Sequence, residues 1–595
     1  MIPEGFPAGA VCDRANFRKK RAVTDRAYSS RKKRSATALL SFLCLVASVP
    51  VLVGQSTPAP DAVMRAMSDE LQRSVLELQF KDLEKPYFIQ YTVVDQERYR
   101  ASATFGALTA SDFGNVRILQ AQVRLGDYDF DNSEFAGGGF QGTPPSGVTA
   151  AGPIENDYNS IRHALWLATD AAYKQSVEQL ARKRAFVQNK IRGEQIPDFS
   201  KETPVTVVQA RLGLQIDKAR WEKQIREWSA IFREFPQVQE SNVVMEAQLT
   251  HHYLVNSEGT RTLQPAMLVT VEVEAETQAS DGMRLRHWIP FNAGSIDQLP
   301  SAQDITKAIR QMATDLTALR SAPVLDADYS GPVLFTGQAS AEMFARVLGP
   351  NLSGQRLPLS EQQQAQTTRS ELVDRLNRPV LPRFLSVYDD PTAQRIGDKE
   401  LLGHYSVDDQ GVPARRVSLI EQGVLKNFLM SRRPGKDMPQ SNGHGRSGVP
   451  GRETAQIGNL FIQSSEGKTY DALKQQLIKM CQEENLQYGL LIKALNPDGR
   501  SPIGVPVLTY KVYVSDGHEE LIRGAFAQGI PIRSLRQIEA VGNDTFVVNR
   551  LTGSNELPTA MSVVAPSVLL EEMELKRPTG TQQQPALLTH PFFGT

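Results

Sequence analysis

From Tyr329 onward the apolar residues come in short runs broken by glycine, proline and acidic turns, a spacing that fits short strands and excludes a helical bundle. The runs are Pro332-Val333-Leu334-Phe335, Phe384-Leu385-Ser386-Val387-Tyr388, Val417-Ser418-Leu419-Ile420 and Val507 to Val514. Asp408-Asp409-Gln410-Gly411 and Glu421-Gln422-Gly423 lie among them as turns. Such texture predicts an antiparallel barrel-like or rolled sheet. One helix from about Thr469, with Leu473, Leu477 and Met480 on one face, interrupts it.

Before Tyr329 the periods are longer and mixed. Val63, Met67, Leu71, Val75 and Leu78 recur near 3.6 residues, as do Ile161, Leu165, Ala168 and Ala172, then Trp221, Ile225 and Trp228, then Ile305, Ile309, Met312, Leu316 and Leu319. These are amphipathic helices, and the aromatic stripe is core. Strands are predicted at Tyr87 to Val93, Phe105 to Leu108 and Val116 to Val123 as a meander, and again at Val243 to Val255 and Met267 to Ala275. The fold class is therefore α+β. It divides into N-terminal α+β lobes at 60–150 and 155–325, a β-rich domain at 329–577, and a tail at 578–595 whose Gln582-Gln583-Gln584 predicts disorder. Three basic clusters read as solvated ends: Arg182-Lys183-Arg184 on a helix, Arg415-Arg416 and Arg432-Arg433 on strands.

Lys plus Arg equals Asp plus Glu at 66 each, so no global positive field points to nucleic acid. Arg31-Lys32-Lys33-Arg34 precedes the apolar stretch Ala36 to Val53, and small and polar residues follow. Residues 1–55 thus read as a signal peptide or N-terminal anchor of an exported protein of the periplasm or cell envelope. Membrane contact is expected only through an uncleaved N-terminal segment. Of Cys12, Cys44 and Cys481, the third alone lies past that segment, on the helix after Thr469, where it reads as a small core residue.

Several segments occur in an order and spacing that carry a resemblance. They are Gly331-Pro332-Val333-Leu334, Arg415 to Leu429, Ser441-Asn442-Gly443-His444-Gly445-Arg446, Ile457-Gly458-Asn459-Leu460, Ile522-Arg523-Gly524-Ala525 and Ile538-Glu539-Ala540-Val541-Gly542-Asn543-Asp544. From Gly331 to about Leu575 the chain resembles the TldD/PmbA (modulator of DNA gyrase) metalloprotease family. The N-terminal half resembles it more loosely, at Tyr87 to Asp95 and at Asn256-Ser257-Glu258-Gly259.

The resemblance implies a helix with His-Glu-x-x-x-His and a distal cysteine in catalytic members, where imidazole and thiolate bind zinc and the glutamate accepts a proton from the attacking water. Anchored on Gly349, Leu352 and Gly354, the first histidine falls on Ala345, the glutamate on Arg346 and the second histidine on Pro350. No histidine lies between His287 and His404, and the stretch Asn549 to Asn555, where the cysteine is due, holds Arg550 and no cysteine. No metal ligands and no catalytic residues are therefore assigned, and zinc is expected only in a catalytic partner.

Asn442, His444 and Arg446 lie in a Gly-rich loop that the resemblance places beside the substrate cleft. They are candidates for contact with peptide or partner if the loop is more than a mobile connection. The reading is an exported, TldE/PmbA-like, non-catalytic subunit acting on peptides or unfolded protein with a TldD-like catalytic subunit or with itself. The alternatives are a stand-alone exported peptide-binding or scaffold protein and an active metallopeptidase with an unrecognised site. Protein recovered from the envelope fraction is expected to begin C-terminal to Val53 by N-terminal analysis; a cytoplasmic chain retaining Met1 contradicts export.

Overall fold

Along four neighbouring long strands most buried apolar side chains fall on odd-numbered positions, and this shared parity builds one face of a large sheet. The structure is a computed structural model that describes residues 61–136, 147–188, 196–361, 370–496, 505–527, 529–553, 557–579, 588 and 590–593. The targeting segment and Gln582-Gln583-Gln584 lie outside the described residues.

In chain order the N-terminal elements are α1 (Ala62–Glu77), β1 (Phe88–Thr104), β2 (Ala107–Arg124), β3 (Val148–Ala151), α2 (Tyr158–Gln188), β4 (Thr206–Val208), α3 (Lys218–Ala230), β5 (Glu240–Asn256), β6 (Arg261–Gln278), β7 (Arg284–Ala293) and α4 (Ala302–Ser321). The strands form one sheet in the order β3-β2-β1-β5-β6-β4, with β7 also on β6. Ile89, Tyr91, Val93, Tyr253 and Val255 pack under α1 and α2. Tyr99, Ala101, Ala103, Val243, Met245 and Ala247 pack under α3 and α4. Both helix pairs therefore lie on one face, at opposite ends of 17- and 18-residue strands. The stripe of Trp221, Ile225 and Trp228 is core, as its period predicts.

Two expectations change here. Phe105 is not in a strand but in the β1–β2 hairpin turn, where Phe105 (φ 43°) and Gly106 (φ 80°) adopt left-handed backbone. The Ser229 hydroxyl accepts the Gly106 N–H at 2.9 Å, fixing that turn on α3. The boundary between 60–150 and 155–325 also runs through a single sheet, because β1 pairs with β5 over Gln90 to Ala103.

The C-terminal elements are β8 (Tyr329–Phe335), α5 (Gln338–Val347), β9 (Leu385–Asp389), β10 (Val417–Glu421), β11 (Val424–Leu425), β12 (Asn459–Ser464), α6 (Tyr470–Glu483), β13 (Tyr488–Asn496), β14 (Val505–Tyr513), β15 (Glu519–Ile522), β16 (Phe526–Ala527), β17 (Ile538–Val541), β18 (Phe546–Gly553), β19 (Pro558–Ala565) and β20 (Val568–Lys576). One sheet runs β11-β10-β9-β12-β19-β18 and a second β15-β14-β13-β8-β20-β16, with β17 on β20. The sheets are rolled rather than closed into a barrel, and neither is wholly antiparallel. β12 pairs in parallel with β19 and β13 with β8, since long connections return the chain in the same direction. Their core gathers Val333, Phe335, Phe344, Leu385, Leu419, Val563 and Leu570, while α6 covers Leu334, Leu491 and Leu569 on the far face. Cys481 is buried there, and burial pushes its thiol up to about 12.

Of the clusters read as solvated, Arg432-Arg433 is internal, and so is Lys183, whose neighbours Arg182 and Arg184 are exposed. Lys183 is buried and donates to Asp198 at 2.5 Å and to the carbonyls of Asp131 and Ser133. Arg432 is buried too and places two parallel N–H bonds of 2.8 Å on Glu258, bonds the Ser200 carbonyl and lies 3.9 Å over the Phe199 ring. Arg433 pairs with buried Glu134 at 3.1 Å. Their partners lie far along the chain, so local charge pattern cannot reveal them. His590 and Phe592, within the tail expected to be disordered, lie 5.2 and 5.4 Å from the Phe105 ring. Among the described residues no helix is long and apolar enough to cross a membrane.

Removing one partner of a buried pair strands the other charge. Arg432→Ala is expected to cost about 3–5 kcal/mol in urea unfolding. Lys174→Ala, which breaks an exposed pair with Asp170 on α2, is expected to change stability by less than about 0.5 kcal/mol. Equal effects would contradict this placement of Arg432.

Candidate active site and buried carboxylate

Gln338-Ala339-Ser340-Ala341-Glu342-Met343-Phe344-Ala345-Arg346-Val347 is rich in good helix formers and turns directly out of β8, with Gly337 (φ 56°) taking the left-handed bend. The helix ends where Gly349-Pro350 begins a short 3-10 turn, since proline cannot continue the ladder. Most of α5 is buried against β13, β18 and β19. Ala345 is buried, Arg346 follows it, and Pro350 lies in the 3-10 turn.

Sequence reasoning missed the residue that organises this place. Glu342, with its side chain 4% exposed, receives Arg346 Nε on Oε2 at 3.3 Å, one helical turn on. Arg550, from β18, approaches the same oxygen with Nη1 at 3.3 Å. The two guanidinium side chains are 14% and 15% exposed. Burial draws Arg550 below the usual guanidinium range, Glu342 opposes that, and the like charge of Arg346 adds to it. Thus the helix positions Ala345, Arg346 and Pro350, and the distal segment in which a cysteine was sought, do converge. The i, i+4 spacing of Glu342 and Arg346 is visible in the sequence; the approach of Arg550 is not.

Zinc does not fit these residues. Ala345 and Pro350 carry no donor atom, the two guanidiniums are cations that cannot ligate, and the one carboxylate is committed to both. Among the described residues no group of three or more His, Cys, Asp and Glu side chains could hold a metal ion. His251 and His252, on β5, point to opposite faces, with His251 Nε2 accepting the Leu212 N–H at 3.1 Å.

Asn442, His444 and Arg446 form an internal network rather than a mobile loop. His444 is fully buried, with Nε2 3.0 Å from Asp389 Oδ1 and Nδ1 3.0 Å from both oxygens of Asn442. Arg446 lies 4.1 Å over Tyr405 and donates to Asp409 at 3.3 Å. A Cβ on Gly443 (φ 77°) would stand 2.2 Å from the Pro413 carbonyl oxygen, so glycine lets the loop pass inside rather than swing outside. The network abuts the large sheet, where half-buried His252 feels both Asp409 and Arg446. Neither His444 nitrogen is left for a peptide.

Two carboxyls beside this network are pushed up to about 7, chiefly by burial: Asp408, despite three backbone N–H donors, and Glu453, which accepts the Gly451 N–H at 2.7 Å. A carboxyl raised on folding binds its proton in the folded state first, so the stability it contributes is complete below about 4 and is lost as pH rises towards 7. Urea midpoints are expected to fall over that window. In Glu453→Gln the slope is expected to shrink by up to about 1.4 kcal/mol per pH unit, the effect of one proton. An unchanged slope contradicts the assignment.

Residues 329–577 match the family described as PmbA/TldA metallopeptidase C-terminal domain. A metalloprotease of Archaeoglobus fulgidus is 32% identical over 93 residues and one of Methanocaldococcus jannaschii 30% over 94, in each case 16% of this chain and 20% of the relative. The chain thus spans about a fifth of the curated relatives it matches. Among solved structures, TldE from Thermococcus kodakarensis superposes with a TM-score of 0.54 at 13% identity, over 86% of this chain and 100% of its own. A protein of Thermotoga maritima described as a candidate modulator of a DNA gyrase gives 0.53 at 16%, over 82% and 96%. These two similarities establish the fold. Residues 329–577 thus belong to the PmbA/TldA metallopeptidase C-terminal domain family, on a chain that shares its overall fold with TldE.

Proposed function

We propose that this chain is a non-catalytic subunit of a TldD/TldE-type metalloprotease of the periplasm or cell envelope, holding peptide or unfolded protein while a catalytic subunit supplies zinc. The observation that carries the reading is Glu342 bound by Arg346 and Arg550 at the place where metal-bearing relatives are expected to keep histidine, glutamate and cysteine. Hydrolysis of a peptide bond by zinc needs an open coordination position and a base for the attacking water. Here the permanent cations repel a divalent ion, and the one glutamate is taken up by them. What the fold offers in place of chemistry is a second cleft wall, with sheet edges on which an extended chain can add as a strand. The export signal, read from residues 31–55, is what assigns the envelope.

Metal analysis and a peptidase assay decide between this and the alternatives. The purified chain alone is expected to carry far less than one zinc per molecule and to leave unfolded protein intact. With an exported homologue bearing His-Glu-x-x-x-His it is expected to co-elute and raise that partner's activity. Stoichiometric zinc or activity from the chain alone overturns the proposal in favour of an active peptidase. Failure to associate with any such homologue overturns it in favour of a stand-alone binding protein.

A further inference from the structure

On the helix-bearing face of the large sheet, the odd-numbered side chains of β1 pass from Val93, under α1 and α2, to Tyr99, under α3 and α4. Between these two apolar ends stand Asp95 and Glu97, with Arg117 of β2 and His251 of β5 directly opposite Asp95 on either side. Asp95, Arg117 and His251 are buried, and Arg117 sets Nε and Nη2 on the two Asp95 oxygens at 3.2 and 2.8 Å. The connection between β4 and α3 is tied down to this ionisable row. Arg211 donates to Asp95 Oδ2 at 2.9 Å and to the Tyr253 hydroxyl, the Leu212 N–H donates to His251 Nε2 at 3.1 Å, and the Leu214 N–H donates to Glu97 Oε2 at 3.3 Å. One end of the connection is held by the Gln209 N–H on the Leu263 carbonyl, the other by Leu214 and Ile216 packed against the core under α3 and α4. Residues 210–213 are therefore a short strap, fixed at both ends, with Leu212 and Gly213 exposed on its outer side.

The bond to His251 forms in one protonation state only. An imidazole nitrogen that accepts an N–H is bare, so the single proton of the neutral ring is on Nδ1. Nδ1 is buried and has no partner among the described residues, which leaves the bond at Nε2 as the ring's one hydrogen bond. A second proton sets Nε2–H against the Leu212 N–H, donor against donor, and brings a positive ring beside the Arg211 guanidinium. Burial, then Arg211, pulls His251 below the ordinary imidazole value, against the opposing pull of Asp95, Glu97 and Asp61, the cap of α1. Arg117 and Tyr253 complete the charged and titratable surroundings, the first paired with Asp95 and the second donating to Asp61 at 2.9 Å, while Pro265, opposite His251 on β6, brings no charge. A histidine lowered on folding contributes stability that is complete above about 6.5 and is lost as pH falls below it, so the bond opens on the acid side.

We propose that residues 210–213 are an acid-released strap: a proton taken up by His251 breaks the bond to the Leu212 N–H, the strap lifts between its fixed ends, and the row of Asp95, Arg117 and His251 is opened to solvent. The device lies on the helix-bearing face of the N-terminal sheet and is separate from the Glu342 site.

Hydrogen exchange of the full chain, followed at the Leu212 amide from about pH 8 to about pH 4.5 and corrected for the intrinsic rate, tests this. Leu212 is expected to lose at least about tenfold of its protection across the scan, while the Gln209 amide keeps its own. In His251→Gln, whose side-chain carbonyl accepts the same N–H and does not titrate, Leu212 protection is expected to hold throughout. In the unaltered chain the midpoint of the loss is expected to coincide with the titration of the His251 imidazole seen by NMR, a comparison that stands even where the variant does not fold. Leu212 protection that stays flat across the scan, that falls equally in His251→Gln, or that follows the titration of another group overturns the strap.

Discussion

A carboxylate taken out of water must be paired, and in this molecule Glu342 is paired twice. The two guanidiniums that satisfy it come from α5 and from the edge strand β18, so one anion fastens the central helix of the C-terminal domain to the outermost strand of its sheet. The same pairing fixes what the place can hold. A divalent ion and two permanent cations compete for one set of oxygens, and the cations are covalently part of the fold.

Further buried ion pairs join the two parts of the chain. Arg432 reaches Glu258 and the Ser200 carbonyl, Arg433 reaches Glu134, and Arg356 donates to the Ile196 carbonyl at 2.9 Å while pairing with Asp198. These bonds hold the C-terminal domain against the end of the large sheet at which β1 is buried on both faces, from Phe88 to Gln96. The Asn442-to-Arg446 segment belongs to this joint. Its histidine and arginine are spent within the C-terminal domain, on Asp389, Asp409 and Tyr405, rather than on a ligand.

The helices and long strands were legible because period and parity are local properties. Trp221, Ile225 and Trp228 repeat at helical spacing, and the apolar residues of Val243 to Val255 alternate. The hairpin turn at Phe105 was misread because an aromatic residue between apolar neighbours resembles a strand, while its positive φ is set by the Gly106 and Ser229 contacts. Lys183, Arg432 and Arg433 were read as solvated because charge pattern tells nothing about a partner distant in sequence. The candidate site was half legible. Register along α5 located Ala345, Arg346 and Pro350, and the expected cysteine position led to the segment with Arg550, but Glu342, the group that joins them, has no meaning until the fold brings both arginines to it.

Zinc-edge anomalous diffraction from crystals of the chain equilibrated with excess zinc tests the central claim most directly. The account predicts no anomalous peak among Glu342, Arg346 and Arg550, and continuous density joining the Glu342 carboxylate to both guanidiniums. A zinc peak coordinated at that position, with the arginines displaced, would contradict it.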